Sequence, residues 1–256
     1  MIANLLVLGG TTEATALCRT LSDNAISGVV SYAGRVEKPV QQPLPQRVGG
    51  FGGVAGLVSY LRAHGITHVV DATHPFAAQM SRNAVLACAE ARVPLIALTR
   101  APWQPQSGDR WTHVPDIAGA VTALERPAAR VMLAIGRMHL NDFAAHPQHF
   151  YLLRLVDAPD SVLPFPDHAV VQARGPFTVA DDLALMQHHK IDLVVSKNAG
   201  GAGAAAKIAA ARSLGLPVIM IDRPVLPDRL EAHTPQEVLA WLGHSTSDPA
   251  GTDLGV

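Results

Sequence analysis

The chain has 256 residues, 48% of them hydrophobic and 16% charged, with 20 Lys+Arg set against 21 Asp+Glu. This aliphatic content excludes a disordered chain, and a formal charge of −1 excludes a global field that would gather nucleic acid or an anionic membrane. Two cysteines, Cys18 and Cys88, are too few for a disulfide framework and point to a reducing cytoplasm, while the apolar start lacks a basic flank and no run is long enough to span a bilayer.

Short aliphatic runs alternate with Ala-rich amphipathic segments, the pattern of parallel βα units whose helices cover both faces of a sheet. Strands are predicted at residues 2–8, 28–33, 68–71, 94–98, 131–135, 151–155, 169–172, 193–196 and 217–221. Ala14, Leu17, Cys18 and Leu21, and then Met80, Ala84, Ala87, Cys88 and Ala91, recur at helical spacing and make both cysteines core residues. Residues 99–108, polar and carrying Pro102, Pro105 and Gly108, break the alternation as a crossover between lobes would. The expected division is therefore a first lobe at 1–100, a second at 101–243 and a loosely ordered tail at 244–256.

The first strand ends in Gly9, Gly10, Thr11, Thr12 and Glu13, directly before a helical stripe. Glycines at such a turn let backbone N–H groups and the positive helix end meet a phosphate. The run departs from G-x-G-x-x-G because its glycines are adjacent and Ala14 stands where a third is usual. A tight turn is the alternative, with Gly10 as N-cap and Glu13 at N3. The next strand runs out through Ser31, Tyr32, Ala33, Gly34 and Arg35, about where NAD enzymes place an acidic ribose-binding residue. A hydroxyl and a guanidinium suit the 2′-phosphate of NADP instead.

Asp71, Ala72, Thr73, His74, Pro75 and Phe76 follow the third strand, where open α/β sheets bind ligands. Thr73 or His74 either caps a helix that starts at Pro75 or touches a ligand. The glycines from Gly49 to Gly53, Gly50 and Gly52 among them, form either a flexible connection or a backbone surface for a cofactor. In the second half, Lys197 and Asn198 stand at the turn after a strand, ahead of Gly200 and Gly201, with Lys207 on an alanine helix, a set suited to anions. Arg137, Arg154 and Arg174 close other apolar runs and together suggest a ligand with several carboxylates. No H-E-x-x-H, C-x-x-C, G-x-S-x-G or Walker A sequence occurs, so no metal is expected and hydrolase or kinase chemistry lacks support.

Taken in order, the segment from Leu8 to Glu13, Ser31 to Arg35, Asp71 to Phe76, Arg100 to Trp103, Ala173 to Phe177, Ser196 to Gly201, Lys207 to Arg212, and Arg223 with Pro224 resemble the precorrin-6A reductase family of cobalamin biosynthesis. The resemblance covers residues 2 to about 240. It implies an α/β fold of two Rossmann-like lobes with parallel sheets and a ligand cleft between them. The implied activity is an NADPH-dependent reduction of the C18–C19 double bond of precorrin-6A, hydride going to C19 and a proton to C18. By position, Gly9, Gly10, Thr11, Thr12 and Glu13 are carried over to the pyrophosphate, Ser31 and Arg35 to the adenosine phosphate, with Gly50, Gly52, Asp71 and Thr73 completing the cofactor set. Phe76, Arg100, Lys197, Asn198, Gly200, Gly201 and Lys207, together with Arg137, Arg154 and Arg174 from the charge argument above, are the residues expected to meet the macrocycle. Ala199 departs from the family's usual serine in that loop.

His74 and Lys197 are the candidate proton donors, with water as the alternative. Trp103 either packs on the macrocycle or fills the crossover. A small-molecule tetrapyrrole is the expected partner, with no nucleic acid or membrane, for a monomer or weak homo-oligomer. Another NADPH reductase of a polycarboxylate, a two-lobed binding protein and a nucleotide-sugar transferase are the competing readings.

Overall fold

The computed structural model describes residues 3–34, 41–159 and 161–246. They divide into two compact units, Met1–Thr99 with Val225–Val256, and Arg100–Pro224. Each unit is built on a six-stranded, wholly parallel sheet.

In the first unit β1 (Asn4–Leu8) is followed by α1 (Thr12–Asp23), β2 (Ser27–Tyr32), β3 (Gln46–Val48), α2 (Gly53–Ala63), β4 (His68–Asp71), α3 (Ala78–Ala91) and β5 (Leu95–Leu98). Alternation sorts β1 into two sets. Leu5 and Val7 pack with Leu17, Cys18 and Leu21 of α1, while Leu6 and Leu8 pack with Leu57 and Leu61 of α2 and Ala84, Ala87 and Cys88 of α3. Both faces are dry, so both halves of the alternation must be aliphatic. Register sets Arg47, Ser31, Leu8, Asp71 and Ala97 in one row at the carboxyl end of the sheet.

The second unit holds β6 (Arg110–Val114), α4 (Ile117–Thr122), β7 (Arg130–Ala134), two 3-10 turns (Arg137–His139 and Asn141–Ala145), β8 (Phe150–Leu155), β9 (Asp167–Gln172), α5 (Val179–His188), β10 (Leu193–Lys197), α6 (Ala206–Ser213) and β11 (Pro217–Ile221). Met132, Leu152, Val194, Val218 and Met220 meet Met186 of α5 and Ile208, Ala210 and Ala211 of α6. The chain then returns to the first unit as β12 (Leu230–Ala232) and α7 (Pro235–Thr246). Strand β12 pairs in parallel with β5, and Val238 and Leu242 of α7 join the cluster around Leu17. The expectation put 101–243 in one lobe; residues from Val225 depart from it because their backbone and apolar stripe complete the first sheet. Helix α7 also runs to Thr246, three positions into the expected tail.

The strand orders are β12-β5-β4-β1-β2-β3 and β6-β11-β10-β7-β8-β9. Each therefore changes direction once, between β1 and β4 and between β7 and β10, the positions where open α/β sheets bind ligands beyond their carboxyl ends. Among the described residues no helix is long and apolar enough to cross a membrane.

Cys18 and Cys88 are free and buried, and burial pushes their thiols up to about 11 and about 12. Both should stay unmodified by a thiol-specific disulfide reagent at about pH 8 in the native protein and react fully in denaturant. Rapid native modification of either, followed by absorbance, would contradict this burial.

Candidate functional site

At the end of β1 the Gly9 N–H bonds the Ser31 carbonyl (2.9 Å), tying the turn to β2. Gly10 has φ +129°, a conformation that L side chains rarely adopt, and its missing side chain would project into open space. Thr11, not Gly10, caps α1: its Oγ1 accepts from the Ala14 N–H (3.1 Å) and donates to the Ala72 carbonyl at the end of β4 (2.8 Å). With the cap one residue later N3 is Ala14, and the Glu13 carboxylate instead accepts from Thr12 Oγ1 (3.1 Å). The N–H groups of Gly10, Thr11 and Thr12 have no backbone acceptor among the described residues. An open glycine cradle under a twelve-residue helix is a site into which a pyrophosphate fits.

Asp71 is 3% exposed and both its oxygens are engaged. Oδ1 accepts from the Thr73 N–H (3.2 Å) and Oγ1 (2.7 Å), and Oδ2 accepts from Arg229 Nη1 (2.7 Å). Its observed work is to fix the turn after β4, on which His74 stands. The Phe76 N–H donates to His74 Nδ1 (3.2 Å), so the neutral ring carries its proton on Nε2. This small turn delays α3: the helix begins at Ala78 behind an Ala77 cap, three residues after the Pro75 start expected from sequence.

Ser31 is buried, and its hydroxyl accepts from Arg47 Nη1 (2.7 Å). Arg47 also donates to the Gly49 (2.9 Å) and Gly50 (3.2 Å) carbonyls, with its guanidinium 4.0 Å from the Phe51 ring centroid. The loop is thus held to the sheet, and it leads to Gly52, which starts α2 without a side-chain cap. Arg35 lies outside the described residues. The sequence reading missed Arg47 because β3 is a three-residue edge strand beside prolines, too short to show alternation. It missed Arg229 because only the fold brings residue 229 to residue 71.

In the second unit Lys197 closes β10 and its Nζ donates to the Ile135 carbonyl beyond β7 (2.9 Å). The glycine loop behind it is packed against the crossover. Asn198 brackets one residue, accepting from the Trp103 N–H (2.8 Å) and donating to the Trp103 carbonyl (3.1 Å), and the Trp103 indole N–H bonds the Gly201 carbonyl (2.8 Å). Arg100 Nε and Arg223 Nη2 both donate to the Ala199 carbonyl (2.8 and 3.1 Å), and Arg223 Nε donates to that of Asn198 (3.0 Å). A Cβ on Gly200 would sit 2.1 Å from the Ala101 carbonyl, and one on Gly201 2.5 Å from Arg100 Cδ. Gly200 therefore admits the crossover backbone and Gly201 the Arg100 side chain, Asn198 is engaged with the same segment, and buried Ala199 joins the packing.

Lys207, 8% exposed, donates to the Ala204 carbonyl (2.8 Å) and lies 4.9 Å from the Trp103 ring centroid. Burial pushes its ammonium down to about 8, opposed by Asp182 and reinforced by Arg154 and Arg100. Arg154 pairs with buried Asp182, a partner the sequence reading did not foresee, and stacks on Phe177 (4.1 Å). Arg137 and Arg174 are exposed on the turns after β7 and β9. The structure thus gathers Gly9 to Glu13, Asp71, Thr73 and Ser31 along the carboxyl end of the first sheet, and Lys197, Asn198, Lys207 and Arg154 in the second unit. Among the described residues no three His, Cys, Asp or Glu side chains are grouped to hold a metal.

A family model described as precorrin-6x reductase CbiJ/CobK matches residues 4–243. A precorrin-6A reductase of Rhodobacter capsulatus is 61% identical over 250 residues, covering 98% of this chain and 100% of that protein. One from Rhodococcus erythropolis is 44% identical, covering 96% and 99%. A solved structure of CobK precorrin-6A reductase superimposes with a TM-score of 0.92 at 61% identity, covering 98% and 100% of the two chains.

Two substitutions test the charge arrangement. Arg229→Ala, by stranding the Asp71 carboxylate, should lower unfolding free energy by about 3–5 kcal/mol in a denaturant titration, and a loss of roughly 0.5 kcal/mol or less would contradict the pairing. Lys207→Met should be more stable than the parent at pH 7 by about 2 kcal/mol, since the native fold there holds a lysine charged against its burial. As pH rises from about 8 towards 10.5, the native lysine loses its proton while the unfolded one keeps it, so the parent gains stability and the gap closes. A constant gap across that window would contradict the lowered value.

Proposed function

The chain belongs to the precorrin-6x reductase CbiJ/CobK family, an oxidoreductase family acting on a CH–CH bond, and we propose that it draws the hydride from NADPH held by the first unit. It reduces precorrin-6A in cobalamin biosynthesis. The observation that carries the cofactor reading is the open Gly9–Gly10 turn under α1 beside the end of β2, where Ser31 and Tyr32 stand and no carboxylate does. When bound, the nicotinamide supplies the hydride, two electrons with one hydrogen, for C19.

The protein's own residues do the rest. Gly10, Thr11 and Thr12 offer N–H groups to the pyrophosphate, and Thr11 keeps the turn closed against Ala72. In the second unit Lys207 stays cationic at the cost of burial, a retention that makes sense if a carboxylate of the macrocycle is its intended partner. Arg137 and Arg174 supply further positive charge for the acetate and propionate groups, while the Arg154 charge is already matched by Asp182. The proton for C18 has two candidate holders, His74 at Nε2 and Lys197 at Nζ. Two free buried thiols accord with a cytoplasmic setting.

The test is an anaerobic incubation of the purified protein with precorrin-6A and NADPH, repeated with His74→Ala and Lys197→Ala. A two-hydrogen mass gain matched to NADPH oxidation is expected, with kcat down about 100-fold in whichever variant lacks the proton donor. If both variants keep kcat and lose only KM, neither residue delivers the proton. An unchanged macrocycle mass with the parent would overturn the reading itself.

A further inference from the structure

We infer that Arg47 is the residue that selects NADPH over NADH, an inference that rests on the cofactor reading above. Register places Arg47 directly beside Ser31, and the Gly9 N–H bonds the Ser31 carbonyl, so the phosphate turn, Ser31 and Arg47 follow one another along the edge of the first sheet. In this sheet order the end of β2 is where the adenosine ribose is read, and the neighbouring position on β3 lies one strand further out.

Four contacts fix the guanidinium before any ligand arrives: Ser31 Oγ, the Gly49 and Gly50 carbonyls and the Phe51 ring, with the Tyr60 ring at 5.1 Å. Those three hydrogen bonds use three of its five N–H groups and leave Nε–H and one Nη2–H. No carboxylate of the described residues pairs with it, in contrast to Arg154, Arg212 and Arg229. A permanent cation held rigid without an anion, with two donors to spare, is the partner a 2′-phosphate requires. Packing alone does not demand it, because the aliphatic part of a lysine or glutamine would also cover Phe51.

The experiment measures Kd for NADPH, NADH, 2′,5′-ADP and 5′-AMP with the parent and with Arg47→Gln, Arg47→Lys and Arg35→Gln. Arg47→Gln should weaken NADPH and 2′,5′-ADP by about 30-fold while NADH and 5′-AMP change by less than about threefold. Arg47→Lys, which keeps the charge without the fork, should fall between, and it decides the matter alone if the glutamine variant does not fold. Equal loss for phosphorylated and unphosphorylated ligands would reduce Arg47 to a clamp on its loop and overturn the inference. So would a preference that survives in both Arg47 variants and disappears in Arg35→Gln. Failure of the cofactor reading looks different, because the parent would then bind NADPH no better than NADH.

Discussion

A parallel sheet sends every strand out on the same side, and where the chain departs in opposite directions from two neighbours a gap opens that no ladder hydrogen bond can close. Both units meet that constraint with one side chain. Thr11 reaches from the turn after β1 to the Ala72 carbonyl after β4, and Lys197 reaches from β10 to the Ile135 carbonyl after β7. The first solution is neutral and leaves backbone N–H groups for an anion. The second puts an ammonium at the gap. One fold, used twice, thereby yields two carboxyl ends of different chemistry, and the proposed division of labour between cofactor and macrocycle rests on that difference.

The glycines divide in the same way. Gly10 is needed for a left-handed turn over open space, whereas Gly200 and Gly201, also at positive φ, are hemmed in as well, by the Ala101 carbonyl and by the Arg100 side chain. Two strand-to-helix loops that look alike as sequence therefore do opposite things, one leaving a cradle and one filling it. The Asn198–Trp103 bracket and the two arginines on Ala199 fix the loop that follows Lys197, which keeps a flexible side chain at a defined place. Buried charge is concentrated nearby, in Arg154, Asp182 and Lys207, and one Asp182 oxygen has no partner. Such an arrangement is poor for stability.

Much of this was legible from residues alone, and the physical reason is double burial. All nine expected strands are present within two residues at their ends, eight of them because a strand covered on both faces must be aliphatic throughout; the ninth, β9, is a half-exposed edge strand legible by its Ala169–Val171 run. The three strands that went unseen, β3, β6 and β12, are sheet edges, two of them only three residues long. The helical stripe Ala14, Leu17, Cys18 and Leu21 is buried as its period requires. The glycine turn and the family motifs were legible as well, but pairings across the chain were not. Asp71 with Arg229, Ser31 with Arg47 and Asp182 with Arg154 join residues up to 158 positions apart, and no local spacing encodes them.

The central claim is that the first unit takes the dinucleotide and the second does not. Hydrogen exchange followed by mass spectrometry, with and without NADPH, tests it most directly because it reads each segment separately. The account predicts slowed exchange at residues 9–12 and 47–53 on adding NADPH, and no change at 197–203. Protection confined to the second unit, with residues 9–12 exchanging as before, would contradict it.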